Sequence, residues 1–373
     1  MPTKILLVAN TSWYIHNFRL GLIKVLLEQG YEVFALAPLD DYSGNFENIG
    51  CHHVHLEMDN KGLNPVSDLK MKKRLFGVYR KINPDLILHY TIKPVIYGSM
   101  AAAKLEIPFV NNITGLGTAF IKKNWITWLV KQLYRSSQRQ AGYIFFQNRE
   151  DQQLFQKGNL IPKTIPQEVI PGTGIDTDHF NVCPYPGGNS VTFLLIARML
   201  WDKGVGEFVE AARLIKSEFS EVCFQLLGFL DVSNRTAISS QQMQIWTEQG
   251  VIEYLGETDD VRPYIADADC VVLPSYREGL PRTLLEAAVM GRPIIATDVT
   301  GCREVVEHGV NGYLCKVRDA NDLVDKMKAM IKLSLHERKE MGLKGRKRIE
   351  QNFDEKVVVE KIVNRIESVL NTA

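Results

Sequence analysis

The sequence predicts an α/β protein built from two doubly wound parallel sheets. Short apolar runs alternate with amphipathic stretches along all 373 residues, and the runs fall into two consecutive sets. Proline and glycine cluster between the two sets, at residues 166–178. Alternation of this kind is typical of βαβ units, and a chain of this length usually forms more than one domain.

Thirteen apolar runs of three to seven residues are the predicted strands. Continuous apolar runs of this length suit parallel strands that are covered by helices on both faces. In the first half they are Lys4–Ala9, Tyr31–Ala37, His52–Leu56, Asp85–His89, Pro108–Asn111, Tyr143–Gln147 and Glu168–Ile170. In the second half they are Thr192–Ala197, Cys223–Gly228, Ile252–Gly256, Cys270–Pro274, Pro293–Asp298 and Tyr313–Val317.

The stretches between the strands carry apolar residues at helical spacing. Clear examples are Phe18–Gln29, Glu207–Ser217 and Thr283–Met290, and the tail has the same pattern. We therefore expect a first domain at residues 1–172 and a second at residues 177–350. We expect the last helix, residues 354–373, to pack back on the first domain.

Charge is balanced overall but uneven along the chain. Lys+Arg is 44 and Asp+Glu is 43, whereas residues 1–175 contain 20 basic and 13 acidic side chains. Either the first half meets an anionic partner, or it packs against the acidic second half. The balanced overall charge and the absence of a nucleic-acid recognition motif argue against a nucleic-acid partner. Six cysteines without a C-x-x-C pair argue against disulfides and thiolate zinc.

The apolar content sets limits on the compartment. The first apolar run is too short for a signal peptide, and no run approaches the ~20 residues that cross a bilayer. We expect a cytoplasmic protein, or one that is peripheral on the cytoplasmic face of the inner membrane.

Charged residues follow two predicted strands of the second domain. Arg198 and Lys203 follow one strand, Glu278 follows another, and Glu286 lies in the next helix. In α/β sheets ligands bind beyond these strand ends, and a helix that begins near Pro281 offers free amides there. The pattern predicts a site where cations and the helix hold phosphates and the acids hold hydroxyls. The alternative is a set of solvated surface charges.

These motifs resemble the retaining nucleotide-sugar glycosyltransferases of family 4. The resemblance begins with Arg198-x4-Lys203-Gly204 and Glu278-Gly279-x6-Glu286, and it covers nearly the whole chain. Further matching segments are Pro171–Phe180, Leu255–Val261, Gly309–Leu314, Ala197–Gly204, Leu273–Gly279 and Gly301–Glu304. The last three are similar to a bacterial subgroup that extends undecaprenyl-diphosphate-linked sugars. The resemblance implies the GT-B fold, in which two Rossmann-like domains face each other across a cleft.

The resemblance also implies roles in binding a UDP-sugar donor. Arg198 and Lys203 would bind the diphosphate and stabilise the departing nucleoside diphosphate, Glu286 would bind the ribose, and Glu278 would lie near the donor sugar. Backbone amides would line the sugar and phosphate pocket; they belong to Gly279, Leu280, Thr283 and Leu284. The catalytic set is therefore Arg198, Lys203 and Glu278.

We expect no metal and no other cofactor. The two cations take the place that a divalent ion holds in other phosphate chemistry, and no D-x-D stands at a strand end. The run Cys51–His55 contains three histidines, but alternation along a strand puts His52 on the face opposite to His53 and His55. The sequence therefore predicts no metal site there.

The expected acceptor is a lipid-diphosphate-linked saccharide bound by the first domain. The candidate contacts at its strand ends are His16, Asn17, His89, Lys93 and Thr114. His89 ends a buried strand, so a histidine satisfied within the core is an equally open interpretation.

One basic stretch suggests contact with an anionic membrane. Lys131, Arg135 and Arg139 share one stripe of a predicted helix, Trp125 lies on its apolar side, and Lys122 and Lys123 precede it. Basic and aromatic residues on an amphipathic helix are typical of membrane-surface elements. An ordinary helix packed on the sheet would show the same apolar side.

These observations predict a retaining, metal-independent glycosyltransferase of bacterial surface glycan biosynthesis. It would move a hexose, expected to be N-acetylated, from a UDP-sugar to a polyprenyl-diphosphate-linked saccharide. Two alternatives stay open at this point. One is a nucleotide-sugar epimerase on the same fold, and the other is a non-catalytic subunit that binds a UDP-sugar.

Overall fold

The computed structural model describes residues 2–58, 65–114, 125–187, 190–232 and 234–372. The chain divides into two units. The first unit comprises residues 1–174 and 355–373, and the second comprises residues 175–354.

The first unit is built on a seven-stranded sheet in the order β3-β2-β1-β4-β5-β6-β7, with every neighbouring pair parallel. Its strands are β1 Lys4–Val8, β2 Glu32–Ala37, β3 His52–His55, β4 Leu86–His89, β5 Phe109–Ile113, β6 Tyr143–Phe146 and β7 Gln167–Val169. Its helices are α1 Ser12–Glu28, α2 Gly44–Glu47, α3 Pro65–Ile82, α4 Ser99–Lys104 (after a π turn at Pro94–Gly98), α5 Trp125–Ser137 and α6 Arg149–Lys157.

The second unit is built on a six-stranded parallel sheet in the order β10-β9-β8-β11-β12-β13. Its strands are β8 Thr192–Ile196, β9 Cys223–Leu227, β10 Glu253–Tyr254, β11 Cys270–Leu273, β12 Ile294–Thr297 and β13 Gly312–Cys315. Its helices are α7 Val205–Lys216, α8 Ser240–Glu248, α9 Arg262–Asp267, α10 Arg282–Val289, α11 Thr300–Val305, α12 Ala320–Lys332 and α13 Leu335–Asn352. The predicted fold class, two doubly wound parallel sheets, is confirmed.

Both faces of the central strands are buried, as their continuous apolar runs predict. In β1, Ile5 and Leu7 belong to one hydrophobic cluster, while Leu6 and Val8 belong to the cluster on the opposite face. The last helix, α14 (Glu355–Leu370), packs against α1 within the first unit and adds Ile362 and Ile366 to the first of these clusters. Among the helices described, none has the length and apolarity needed to cross a bilayer.

Two helices begin at residues other than those that the apolar pattern predicts. α1 begins at Ser12, six residues before the predicted Phe18, because the Thr11 hydroxyl accepts a hydrogen bond from the amide of Tyr14 at 3.1 Å. α10 begins at Arg282, one residue before the predicted Thr283, with Pro281 as its N-cap. α1 follows the carboxyl end of β1 in the first sheet, and α10 follows that of β11 in the second.

His89 is a core histidine, which corrects its place among the acceptor-side candidates. It is completely buried on β4, with its Nδ1 at 3.0 Å from Asn111 Oδ1 and its Nε2 at 3.0 Å from the Tyr79 hydroxyl. Asn111 is held in turn by a bond from its Nδ2 to Gln138 Oε1 at 2.7 Å. Both ring nitrogens are used inside the unit, and burial lowers the pKa of His89 from its usual 6.5 to about 3.

This buried histidine makes the first unit sensitive to acid. The unfolded state takes up the proton first as the pH falls, so the contribution of His89 is complete above pH 6.5 and lost between pH 6.5 and 3. The loss is about 2 kcal/mol by pH 5. We expect the His89→Gln variant to show a flatter dependence of unfolding free energy on pH between 8 and 5. Urea denaturation followed by hydrogen exchange in β4 and β5 measures this for the first unit.

The exposed histidine His336 provides the matched control, because its replacement by glutamine removes an imidazole from the surface and not from the core. The His336→Gln variant should keep the pH dependence of the wild type. Identical slopes for the wild type and the His89→Gln variant would contradict the assignment of His89 as a buried, neutral histidine.

Candidate active site

Two strand ends of the second unit approach each other too closely for any side chain between them. Gly204, which follows β8, has a φ of +74°, and a Cβ there would lie 2.1 Å from the carbonyl oxygen of Pro274 after β11. The same loops are joined where the Tyr276 amide donates to the carbonyl oxygen of Asp202 at 2.9 Å. Lys203, the residue before Gly204, is therefore held beside the loop that follows β11.

This approach brings two predicted site residues into contact. Lys203 Nζ lies 2.5 Å from Glu278 Oε1, and the side chains are 23% and 11% exposed. Arg198 stands exposed at the end of β8, and its side chain has no ion pair with any residue that the structure describes. One cation of this edge is thus balanced by a carboxylate, and the other is available to an anion.

A third strand end supports the loop that carries Glu278. Gly301 lies in α11, directly after β12, and a Cβ at this position would lie 2.3 Å from the carbonyl oxygen of Gly279. The backbone of the Glu278–Gly279 segment is therefore packed against a helix and cannot shift towards it.

Glu286 is buried inside α10 and is paired with Arg282, which was not among the predicted site residues. Its Oε1 lies 3.0 Å from Arg282 Nε, one helical turn away. Burial raises the pKa of Glu286 above its usual value. The charge and the hydrogen bond of Arg282 lower this pKa, but their effect is smaller than that of burial. The i, i+4 spacing of these residues is a readable sequence signal for such a pair.

The amide of Leu284 is not available to a ligand, which corrects one predicted contact. It donates to the carbonyl oxygen of Pro281 at 3.1 Å, inside the first turn of α10, and the Leu284 side chain is completely buried. The predicted neighbours Gly279, Leu280 and Thr283 are half-buried along the same edge.

A further polar cluster at this edge was missed because its members come from three distant segments. The Tyr276 hydroxyl donates to Glu207 Oε1 at 2.7 Å, and the Arg318 guanidinium lies 4.4 Å from the centre of the Tyr276 ring. Burial and the Glu207 carboxylate raise the pKa of Tyr276 to about 12, so its hydroxyl stays protonated. Arg318, exposed after β13, adds another cation to the edge where Arg198 stands.

The remaining acceptor-side candidates stand at the carboxyl edge of the first sheet. His16 is half-buried on α1 with Nε2 at 3.3 Å from Asn45 Nδ2, and burial lowers its pKa. Asn17 Nδ2 donates to the carbonyl oxygen of Trp13 at 3.0 Å. Lys93, after β4, has its Nζ 3.0 Å from Asp68 Oδ1 on α3, and Thr114 directly follows β5.

Among the residues that the structure describes, Asn112 and Tyr90 at this edge are buried polar side chains whose polar atoms have no hydrogen-bond partner. Asn112 on β5 is 3% exposed and neither of its amide atoms is bonded, and the hydroxyl of the fully buried Tyr90 is unbonded as well. An unsatisfied buried group costs about 1–3 kcal/mol. Both side chains can therefore gain from a polar ligand. Asparagine is rare inside strands, so the pair Asn111-Asn112 in an apolar run is a signal that sequence reasoning could have used.

The predicted membrane stripe on α5 is largely occupied by contacts within the first unit. Arg135 donates from Nη2 to the carbonyl oxygen of Gly158 at 2.8 Å and from Nε to that of Asn159 at 3.2 Å, so it caps the end of α6. Lys131 is half-buried, and only Arg139 of the stripe is exposed. Lys122, Lys123 and the side chain of Trp125 lie outside the described residues. The stripe is therefore not the exposed basic surface that the sequence suggested.

The histidines of β3 are held by three separate contacts. His53 Nε2 lies 3.1 Å from Ser12 Oγ, His55 Nδ1 accepts the amide of Leu39 at 2.9 Å, and His52 faces Glu32 at 3.8 Å. Within the described part of the chain, no three side chains of His, Cys, Asp or Glu are grouped so as to hold a metal ion.

Known proteins resemble both units. The family described as Glycosyl transferase 4-like matches residues 4–148, and the family described as Glycosyl transferases group 1 matches residues 190–332. Among solved structures, a sucrose-phosphate synthase from Thermosynechococcus elongatus superposes with a TM-score of 0.81 at 16% identity, covering 100% of each chain. The likeness to that structure concerns the fold.

Two relatives match over most of their length. A Campylobacter jejuni protein named N,N'-diacetylbacillosaminyl-diphospho-undecaprenol alpha-1,3-N-acetylgalactosaminyltransferase is 30% identical over 85% of this chain and 86% of its own. A Bacillus anthracis protein named N-acetyl-alpha-D-glucosaminyl L-malate synthase is 36% identical over 93% of this chain and 90% of its own. With its two parallel Rossmann-like units, this chain belongs to the glycosyltransferases of the GT-B fold.

Proposed function

We propose that the protein is a retaining, metal-independent glycosyltransferase that moves a hexose from a UDP-sugar to a polyprenyl-diphosphate-linked saccharide. The observation that carries the donor side is the contact between Lys203 and Glu278 at the ends of β8 and β11, with Arg198 exposed after β8 and Glu286 buried in the helix that follows β11. Cations that are fixed before the reaction stabilise charge that develops in the transition state.

The leaving diphosphate needs that positive charge. Arg198 is exposed, so a phosphate can reach it. Lys203 Nζ lies 2.5 Å from Glu278 Oε1, and its other N–H groups can donate hydrogen bonds to a phosphate oxygen. The carboxylate of Glu286, kept beside Arg282, would accept hydrogen bonds from the ribose hydroxyls. Glu278 would then lie near the donor sugar.

We propose substitution on the front face of the sugar. The bond between the anomeric carbon and the diphosphate oxygen breaks, and the acceptor hydroxyl oxygen bonds to the same face of that carbon. The acceptor proton passes to the leaving phosphate oxygen, so atoms and charge balance without a side-chain nucleophile. The anomeric configuration is retained.

The acceptor is assigned to the first unit. The Campylobacter jejuni relative is named for a diphospho-undecaprenol acceptor, which supports a lipid-linked substrate. We propose that the protein meets this substrate at the cytoplasmic face of the inner membrane. His16, Asn17, Lys93 and Thr114 stay candidates, and the unsatisfied amide of Asn112 joins them. The two relatives reported above are named as a transferase and a synthase, which favours transfer over the epimerase and the non-catalytic subunit.

A soluble hydroxy acid is the second candidate acceptor. It is favoured by the Bacillus anthracis relative, whose name specifies L-malate and whose identity to this chain is 36%. The donor chemistry would be the same, so the two candidates differ only in what the first unit binds.

A panel of UDP-sugars tests the proposal with each acceptor class. We expect release of UDP to depend on a polyprenyl-diphosphate-linked saccharide, and the product to keep the anomeric configuration of the donor by NMR. Release that depends on L-malate would favour the soluble acceptor. Inversion of configuration, or conversion of the UDP-sugar without any acceptor, would contradict the proposal.

The two cations should dominate the chemical step. We expect Arg198→Ala and Lys203→Ala each to lower kcat by at least ~100-fold, the loss typical of removing one stabiliser of transition-state charge. The exposed α7 residue Arg213, which pairs with Glu210, is the matched control, and Arg213→Ala should keep the wild-type rate. Wild-type turnover in both site variants, with intact thermal unfolding, would remove them from the catalytic set.

Turnover should not require a divalent cation, because Arg198 and Lys203 supply the charge that a metal provides elsewhere. We expect the initial rate to be unchanged in excess EDTA, compared with the same reaction without chelator. Loss of activity that Mg²⁺ or Mn²⁺ restores would show that the leaving group is stabilised differently.

A further inference from the structure

We propose that Arg19, Tyr90 and Asn112 form a site in the first unit that binds the anionic group of the acceptor. This group is an oxyanion, which is a phosphate in a lipid-linked saccharide and a carboxylate in a hydroxy acid. The inference rests on the proposed function, and it specifies which part of the acceptor the first unit recognises. The anion site, as we call it, consists of these three side chains and the hydroxyl of Tyr14.

Arg19 is a buried cation without a counter-ion. It is 2% exposed on α1, and it forms no ion pair with any residue that the structure describes. Glu355 of α14 acts on the guanidinium electrostatically, but no ion pair joins the two side chains. Arginine is not deprotonated in proteins, so the positive charge stays in the interior. An uncompensated buried charge is unfavourable, and a bound anion would remove this cost.

Two tyrosines hold the guanidinium in place. Arg19 Cζ lies 4.2 Å from the centre of the Tyr90 ring and 5.9 Å from that of the Tyr14 ring. Arg19 Nη2 donates to the Tyr14 hydroxyl at 3.2 Å, while Arg19 Nε has no hydrogen-bond partner among the described residues. Long side chains of a helix point back towards its amino terminus, and α1 begins at the carboxyl edge of the first sheet. The guanidinium is therefore fixed on the side of this edge with one N–H unused.

Tyr90 and Asn112 lie side by side on the face of the sheet that α1 covers. His89 and Asn111 are register partners on β4 and β5, so Tyr90 and Asn112, the next residue of each segment, are neighbours too. Side chains alternate between the two faces of a sheet, which turns this second pair away from the first. Tyr90 belongs to the hydrophobic cluster that contains the buried apolar residues of α1. The two side chains therefore share the face that Arg19 approaches.

The polar atoms of this pair are unused. The Tyr90 hydroxyl and both amide atoms of Asn112 are buried without a hydrogen-bond partner in the described part of the chain. Burial raises the pKa of Tyr90 to about 12, so the hydroxyl keeps the proton that it can donate. Three segments that are distant in the sequence thus contribute unused donors to one face of the sheet. An oxyanion accepts several hydrogen bonds at once, and those from a guanidinium are among the strongest.

The backbone is strained where it leaves the anion site. Thr91, which follows Tyr90, has a φ of +63°, in the left-handed region that is unfavourable for a β-branched residue. The Thr91 hydroxyl is also buried without a partner among the residues described. Strained residues of this kind cluster at sites that hold ligands. Thr91 and Tyr14 are only half-buried, so the anion site borders solvent at this edge.

The central variant is Tyr90→Phe, which removes one hydroxyl and keeps the ring that contacts Arg19. This hydroxyl has no partner to lose in the folded protein, so we expect the free energy of unfolding to stay the same or to rise. Acceptor binding should weaken: the KM for the acceptor should rise at least about tenfold, while the KM for the UDP-sugar stays unchanged. Steady-state kinetics and urea denaturation measure the two effects.

The matched control is Tyr79→Phe. Tyr79 is a fully buried tyrosine of the same unit, but its hydroxyl lies 3.0 Å from His89 Nε2. We expect this variant to show the opposite result, with a lower free energy of unfolding and an unchanged KM for the acceptor. If Tyr90→Phe destabilised the protein as Tyr79→Phe does, or left the KM for the acceptor unchanged, the proposal would be overturned.

Arg19→Gln tests whether the site recognises charge. The kcat/KM of a short-chain diphosphate-linked saccharide is compared with that of an uncharged alkyl glycoside of the same saccharide. We expect the wild type to prefer the charged acceptor at least about 100-fold, and Arg19→Gln to reduce this preference below about tenfold. Tyr90→Phe should reduce it too, so the test does not depend on the folding of Arg19→Gln. An equal preference in all three proteins would contradict the proposal.

The source of the anion is distinguished by a second pair of acceptors, L-malate and its uncharged dimethyl ester. If Arg19→Gln and Tyr90→Phe reduce the preference for L-malate over the ester, the bound group is a carboxylate. If they reduce the preference for the diphosphate-linked saccharide, the bound group is a phosphate. A wild type that prefers neither charged acceptor would overturn the proposal.

Calorimetry with inorganic pyrophosphate separates this inference from the proposed function. The protein carries Arg198→Ala and Lys203→Ala, so that the donor-side cations do not contribute to binding. We expect Tyr90→Phe to weaken pyrophosphate binding at least about tenfold in this background, and Tyr79→Phe to leave it unchanged. Equal binding by both variants would overturn the proposal. If pyrophosphate bound through the anion site and no lipid-linked acceptor were glycosylated, the anion site would stand and the proposed acceptor would fail.

Discussion

The donor side of this protein depends on a backbone contact that only glycine permits. Gly204 passes the carbonyl oxygen of Pro274 so closely that a Cβ would lie 2.1 Å from it. This contact joins the ends of β8 and β11, and it fixes Lys203 beside Glu278 and the Tyr276 amide beside the Asp202 carbonyl. In a parallel sheet every strand leaves by the same edge, so one close approach assembles residues that are 75 positions apart in the chain.

The resulting edge combines compensated and open charges. Lys203 and Arg282 are each held by a carboxylate, which keeps them ordered, whereas Arg198 and Arg318 are exposed. Ordered cations need little rearrangement when a diphosphate binds, and an exposed cation attracts the diphosphate electrostatically. The partly buried carboxylates Glu278 and Glu286 supply acceptors for hydroxyl groups. A site of this kind suits a ligand that carries both phosphate and sugar, as the proposed donor does.

Sequence reasoning succeeded where a feature depends on local pattern and failed where packing decides it. The thirteen strands were readable because strands covered on both faces leave continuous apolar runs. The contact between Lys203 and Glu278 could be expected because the carboxyl ends of β8 and β11 lie at the same edge of the sheet. The Tyr276 cluster was missed because Glu207 and Arg318 come from distant segments. The two open interpretations of His89, and those of the Arg135 stripe, could not be separated from the sequence because the partners that decide them, Asn111 and the end of α6, are tertiary neighbours.

The most direct test of the central claim is a crystal structure of the protein with bound UDP. The account predicts that diphosphate oxygens lie within hydrogen-bonding distance, about 3 Å, of both the Arg198 guanidinium and the Lys203 ammonium. It also predicts that the ribose hydroxyls donate to the Glu286 carboxylate. A diphosphate bound away from both cations, or a ribose that contacts a different acid, would contradict the assignment of this edge as the donor site.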